Sequence, residues 1–453
     1  MHQVFQRPFA IFFASYALGA GYGAALSGGT IASDAFAAAA FCILMALLAF
    51  WLIFAQHGTP LKREILAAIG VAAPLGILSA TAVLGTAETY FWVYDSNTAH
   101  VPMAKDLMAI VSGKIPTEHW SVSKFVRTGG ITHLFVGTWF ALFGASAVVS
   151  SLAMTALKFG TIWILSAIGL DLSDDVFNHR SSEKVGTNGN LAFVPYAVVP
   201  TVTFHTLAFY KEAMVHLLVA VALYAIFKAR KSLNLRWAIL FGMALCGLAV
   251  ERFYVAALLS PLFLLPLIQT ERPKRVRYLI ALGCLLIMAL VLAPFQDVSW
   301  SKALETIQEL RLRHSKYPGV SVVYNYEISY PIAVLKTLFT PIWAPNKLEM
   351  FRGASALFTW GSFIHQAVML LYIAGVYRAV KTRGWQHLYM QLPFLLFVLA
   401  AAYIAPWSAR TRDSFYPLIS IYAFLAIDWL IANCSIGMRS RSSEQKDAAP
   451  HKG

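Results

Sequence analysis

Charged side chains stand at the ends of apolar runs in this 453-residue chain. Charge at the edge of hydrocarbon has to be used or paired. The earliest case is Asp95, which closes the stretch Thr89-Tyr90-Phe91-Trp92-Val93-Tyr94. A carboxylate can take the proton of an attacking hydroxyl, and the aromatics before it suit a water–lipid boundary. The competing role is a cap for the helix expected over 97–112. Next, Lys211-Glu212 opens an apolar run. Glu212 is a candidate second acid, or a helix-start anion favoured by the dipole. Lys211 either holds an anion or snorkels. Glu251-Arg252, with Tyr254 beyond, interrupts two apolar runs. Arg252 can bind a phosphate, pair with Glu251, or cap a hairpin between two helices.

More cations gather in the second half. An amphipathic stretch near Trp300–His314 carries Lys302, Arg311, Arg313 and His314. Tyr324, Tyr326 and Tyr330 follow the Pro318-Gly319 turn. Cations beside aromatics at a membrane surface suit a phosphate or pyrophosphate next to a sugar, or a helix drawn to anionic lipid. Arg410 and Arg412 bracket the start of the last apolar run, where they grip a lipid phosphate or pair with Asp413. Glu118, His119 and His133 share no recognised ligand spacing, and no HExxH is present. The metal ligands therefore stay unknown, and no cofactor is assigned beyond a divalent cation that the acids could hold.

These residues need elements to hold them, and composition says which. The chain is 58% apolar and 13% charged, with a mean hydropathy of +0.62. Soluble domains are near half apolar and a quarter charged. A soluble one-core enzyme and a disordered chain are both excluded. The expected fold is all-α: a polytopic membrane protein with about 12 transmembrane helices and amphipathic surface helices in two long outer loops. The expected spans are 8–29, 34–56, 64–86, 146–170, 191–208, 212–229, 235–250, 253–270, 277–294, 354–378, 388–406 and 413–433. Segments 131–145 and 331–345 are apolar but short, and read as helices lying on the membrane or dipping into it. The first run lacks a small-residue cleavage site, so no secretory leader is expected. Cys42, Cys246, Cys284 and Cys434 lie far apart in or beside apolar runs, and read as buried small apolar residues.

A net charge of +14 is here an orienting device rather than a nucleic-acid footprint. Lys and Arg concentrate in the loops around 62–63, 228–236, 272–277 and 378–383 and in the tail. That places both termini on the cytoplasmic side. The basic residues that oppose this bias cluster in the outer loops 87–145 and 295–353, where an anionic substrate would explain them.

In their order, these pieces resemble the GT-C superfamily of integral-membrane glycosyltransferases. Aminoarabinose transferases of lipid A, protein O-mannosyltransferases and rhizobial lipopolysaccharide-core glycosyltransferases share the pattern. The resemblance rests on Tyr94-Asp95 followed by an amphipathic helix ending at Gly113, and on Thr132 through Phe143-Gly144. It also rests on Tyr210-Lys211-Glu212, on Phe339-Thr340-Pro341-Ile342-Trp343-Ala344-Pro345, and on Arg410-Thr411-Arg412 with Pro417. It covers about residues 64–433. Residues 1–63 would then form two extra N-terminal transmembrane helices, and 434–453 a disordered basic cytoplasmic tail.

The resemblance implies a hexosyl or pentosyl transferase of the cell envelope, working on polysaccharide or lipopolysaccharide. The donor would be a polyprenyl-phosphate-linked sugar. The acceptor would be a glycan or lipid at the outer, periplasmic face of a bacterial inner membrane. Asp95 would be the base and Glu212 the second acid. Lys211, Arg252, Arg311, Arg313, His314, Arg410, Arg412 and Tyr324 would meet the lipid phosphate or the sugar. Membrane lipids are further partners, and no nucleic acid is expected. A Gly-rich phosphate loop and a DxD motif are absent from the sequence, in keeping with a lipid-borne donor. Two other readings stay open: a polysaccharide polymerase or O-antigen ligase, and a transporter or flippase.

Overall fold

The structure is a computed structural model that describes residues 101–111, 114, 130–143, 147–177, 192–199, 202, 211–232, 234–269, 330–339, 354–404 and 412–430. The expected spans 8–29, 34–56, 64–86 and 277–294 lie outside the described residues. So do Asp95, Arg311, Arg313, His314, Tyr324 and Arg410. All regular structure among the described residues is helical. The elements are α1 (Val101–Val111), α2 (Gly130–Phe143), α3 (Ala147–Phe177), α4 (Val194–Val198), α5 (Glu212–Lys231) and α6 (Leu235–Leu259). A 3-10 turn, Ser260–Phe263, leads into α7 (Leu264–Gln269). Then come α8 (Tyr330–Phe339), α9 (Ala354–Arg383), α10 (Trp385–Ile404) and α11 (Tyr416–Leu430).

Four stretches are long and apolar enough to cross a membrane: Glu212–Lys231, Leu235–Pro266, Phe363–Thr382 and Trp385–Ala402. The chain therefore has the character of a membrane protein. The Leu235–Pro266 stretch is bent back on itself. Arg252 leaves helical geometry at φ −151°, ψ 85°. Phe241 then stacks on Phe263, with ring centroids 5.2 Å apart. Twenty-two residues of straight helix would separate them by about 33 Å. The chain thus reverses at the expected boundary between 235–250 and 253–270, and the reversal falls on the only charged pair in the run.

Sequence chemistry sets the ends of α5 and α6. Glu212 lies in the first turn of α5, and Lys228, Arg230 and Lys231 lie in its last turn. Both choices complement the helix dipole. Asn234 caps α6, its Oδ1 accepting from the Arg236 amide at 3.2 Å. Helix α3 runs seven residues past the expected end at 170. Its Asp171 is gripped by Lys228 at 2.6 Å and Lys231 at 2.8 Å, so the helix gains partners there instead of stopping. The expected span 191–208 is not one unbroken helix: α4 ends at an extended Val199. Pro200 follows, and the residue before a proline is pushed out of the helical region.

Helices α2 and α8 are 14 and 10 residues long, too short to cross about 30 Å of hydrocarbon. α1 lies against α2 because Gly137 has no side chain. A Cβ there would meet the Met108 Cγ at 2.6 Å and the Ala104 carbonyl at 2.8 Å. The main core joins α3 through α7 and α9 through α11, with Tyr196, Leu223, Phe263, Phe394, Tyr416 and Tyr422 fully buried. Ser420 of α11 clasps the α4 region. It accepts from the Tyr196 amide at 2.9 Å and donates to the Ala192 carbonyl at 2.8 Å. Cys246 departs from expectation, since it is exposed on α6. Its small apolar side chain would suit lipid as well as a protein interior.

Candidate functional site

The reversal of α6 carries the charged residues that interrupt its sequence. Glu212, at the start of α5, is fully buried. It accepts from Arg252 Nη2, forming an ion pair across 40 residues. Arg252 Nη1 donates to the Tyr254 hydroxyl at 3.2 Å. The Arg252 side chain keeps 14% of its surface exposed. Its guanidinium is therefore oriented by an acid and a phenol, on a side chain that is not wholly sealed from the outside. Glu251 points elsewhere. Its Oε1 accepts from the Thr132 amide of α2 at 2.7 Å. That carboxylate completes the N-terminus of α2, where backbone amides lack partners of their own. Lys211 lies within electrostatic range of Glu251. Two acids and two cations thus converge where α2, α5 and the α6 reversal meet.

A second layer lies deeper in the bundle. His216 is four residues beyond Glu212, on the same face of α5. Its Nδ1 is 3.2 Å from the Tyr196 hydroxyl, and the two rings meet edge to face. The Lys158 ammonium of α3 lies 5.9 Å from the centre of the Tyr196 ring. Lys158, Tyr196 and His216 are all buried.

Arg412 belongs to a different cluster at the same end of the bundle. It is fully buried and donates to Asp413 at 3.0 Å. Its Nη1 also reaches the Thr337 and Leu338 carbonyls at 3.3 and 3.4 Å. These carbonyls end α8, where the helix dipole is negative. His365 Nε2 contacts the same Leu338 carbonyl at 3.0 Å. A carbonyl only accepts, so Nε2 carries a proton and, in a neutral ring, Nδ1 accepts from the Tyr416 hydroxyl at 2.7 Å. Of the two roles open to Arg412, the structure shows the pairing with Asp413. Aromatic rings link this cluster to the reversal: Tyr254 stacks on Phe397 at 6.0 Å, and Phe397 meets Phe415 at 5.2 Å.

Four of the sequence-selected residues are therefore placed: Lys211, Glu212 and Arg252 meet in one cluster, and Arg412 sits in another. Thr132, Tyr254, Tyr196 and His216 join them without standing among the candidate site residues, as does Lys158, a cation in mid-helix whose role the sequence leaves open. His216 carried a signal, four residues past an acid at a helix start. Lys158 carried one too, as a lone cation in mid-helix. Among the described residues no three His, Cys, Asp or Glu side chains gather as a metal site would require. No protein-family model, no curated protein and no solved structure matches the chain.

Proposed function

We propose that the chain is an integral-membrane glycosyltransferase of the GT-C kind, moving a sugar from a polyprenyl-phosphate donor to a glycan or lipid acceptor at the membrane face. The observation that carries this reading is Arg252, a part-exposed side chain at a helix reversal whose guanidinium is held by Glu212 and Tyr254. When the glycosidic bond breaks, the lipid phosphate gains negative charge. A cation fixed beforehand stabilises that charge without reorganising. Arginine suits the role, because its planar fork matches phosphate. Glu212 then serves as a positioning acid, since its carboxylate is engaged by Arg252. The proton of the acceptor hydroxyl falls to Asp95, six residues before α1 in sequence. One carboxylate base with direct displacement inverts the anomeric centre.

The test is transfer of a radiolabelled sugar from polyprenyl-phosphate donors in proteoliposomes. Wild type is compared with Asp95→Asn and Arg252→Ala. Transfer by wild type, with a loss of about a hundredfold or more in either variant, is the expected result. Full activity in Asp95→Asn would move the base elsewhere, and full activity in Arg252→Ala would sink the role given to the guanidinium.

A second reading has an observation of its own. Lys158, His216 and Glu212 form a run of buried ionisable groups, and such groups in membrane helices mark solute or proton paths. A transporter would show solute or proton flux in the same proteoliposomes with no sugar transfer, and Lys158→Met would stop that flux.

A further inference from the structure

The basic end of the bundle holds a grouping with no part in the chemistry above. Arg236 of α6 stacks on Trp237, its Cζ 4.5 Å from the ring centroid. Trp237 in turn meets Tyr224 of α5 edge to face at 5.8 Å. The Lys228 ammonium lies 5.4 Å from the centre of that Tyr224 ring. Two cations are thus mounted on one pair of rings, from two neighbouring helices. Beside them the Trp237 Nε1 is buried, with no hydrogen-bond acceptor among the described residues. A buried N–H without an acceptor is costly.

Charge and shape identify the kind of acceptor. Lys228 and Lys231 hold Asp171, while Arg230 reaches Gln386 and Arg236 lies on Trp237, so the four cations that end α5 and open α6 outnumber the one acid shown among them. An anion with several oxygens would answer both the surplus and the indole N–H. A stripe of apolar side chains starts at the same place. Leu235, Ile239 and Met243 are 69%, 53% and 66% exposed. Spaced four apart, they follow one face of α6. Arg236 lies at the edge of that face, about 100° round from Leu235. The stripe spans about 12 Å along the helix, enough to line part of an acyl chain.

We infer that the start of α6 is a binding site for the phosphate of an anionic phospholipid, with its acyl chain along Leu235, Ile239 and Met243. A free phosphate would use the cations but not the stripe. A zwitterionic lipid would use the stripe but carries its own cation against Arg236 and Lys228.

Native mass spectrometry of the full chain, released from detergent and titrated with phosphatidylglycerol or phosphatidylcholine, tests this. Phosphatidylglycerol should be retained in preference to phosphatidylcholine. Arg236→Ala should weaken its retention about fivefold, the usual effect of one cation near a lipid headgroup. Trp237→Phe keeps a ring against Tyr224 and removes only the N–H, so it gives a folded variant that should also bind more weakly. Lys381→Ala removes a different cation of the same end, one set against Tyr377, and should change little. Equal retention of the two lipids would overturn the site. Equal loss in Lys381→Ala and Arg236→Ala would reduce it to general surface attraction. Competition by inorganic phosphate at the concentration at which phosphatidylglycerol binds would assign it to a free anion instead.

Discussion

The Thr132 amide donates to Glu251 Oε1 at 2.7 Å, across 119 residues of chain. The first turn of α2 is therefore finished by a side chain from another helix. Gly130 and Ile131, just before it, offer no side-chain oxygen of their own. A carboxylate suits the positive end of a helix dipole, and here it also ties a short apolar helix to the reversal that carries Arg252.

Removing that tie should loosen α2 locally. Glu251→Ala should cost about 1 kcal/mol at the helix start, as lost caps do. Amides in the first turn of α2 should then exchange about fivefold faster with solvent deuterium, while α5 stays protected. Glu251→Gln keeps an oxygen acceptor and should fall between the two. Unchanged exchange in Glu251→Ala would show that α2 does not depend on this bond.

The Glu212–Arg252 pair predicts a non-additive cycle. Breaking a buried pair from one side leaves a charge without its counter-ion, at about 3–5 kcal/mol. Glu212→Gln and Arg252→Met should each destabilise the protein to chemical unfolding in detergent. The double variant should recover much of the loss, because no buried charge is left over. Simple addition of the two losses would mean that the groups do not act as a pair.

Close packing of α9 on α11 depends on Gly375. A Cβ there would run into the Tyr422 backbone carbonyl, and a backbone cannot step aside as a side chain can. Gly375→Ala should destabilise by about 3 kcal/mol, at the upper end of overpacking. Gly160→Ala makes a useful contrast. Its Cβ would meet only the Leu217 side chain, at 3.0 Å, and the change should cost under about 1 kcal/mol. Melting temperatures of the two variants in one detergent decide the point.

Lys158 gives a prediction about burial. Methionine has nearly its length without its charge, so Lys158→Met should insert normally and melt no lower than wild type. A variant that fails to fold would show that the ammonium is held for structure rather than for function.

What the sequence made legible follows a physical division. Local chemistry was readable. The start of α5 at Glu212 and the reversal at Glu251-Arg252 both show as charge interrupting hydrocarbon. The basic last turn of α5 shows as dipole compensation. Partnerships between distant segments were not readable, because nothing local encodes them. Arg252 pairs with Glu212 rather than with its neighbour Glu251, and Glu251 turns instead to Thr132. Asp171, past the expected end of α3, meets two lysines of α5. The break at Val199 was legible in principle, since Pro200 follows it, but the hydrophobicity of the stretch outweighed that signal. Asp95, on which the proposed chemistry leans most, lies outside the described residues.

The Ser420 clasp bears on how the protein is made. Tyr196 and Ala192 wait for a hydroxyl more than two hundred residues downstream. Until α11 is made, the stretch around α4 has these two backbone groups unanswered by Ser420. Their exposure to hydrocarbon is costly, so a partial chain has to keep that stretch near water or against other helices. Only when α11 arrives can α4 take its final seat. A chain cut off before Ser420 would therefore leave behind a bundle without the clasp that joins α11 to the α4 region.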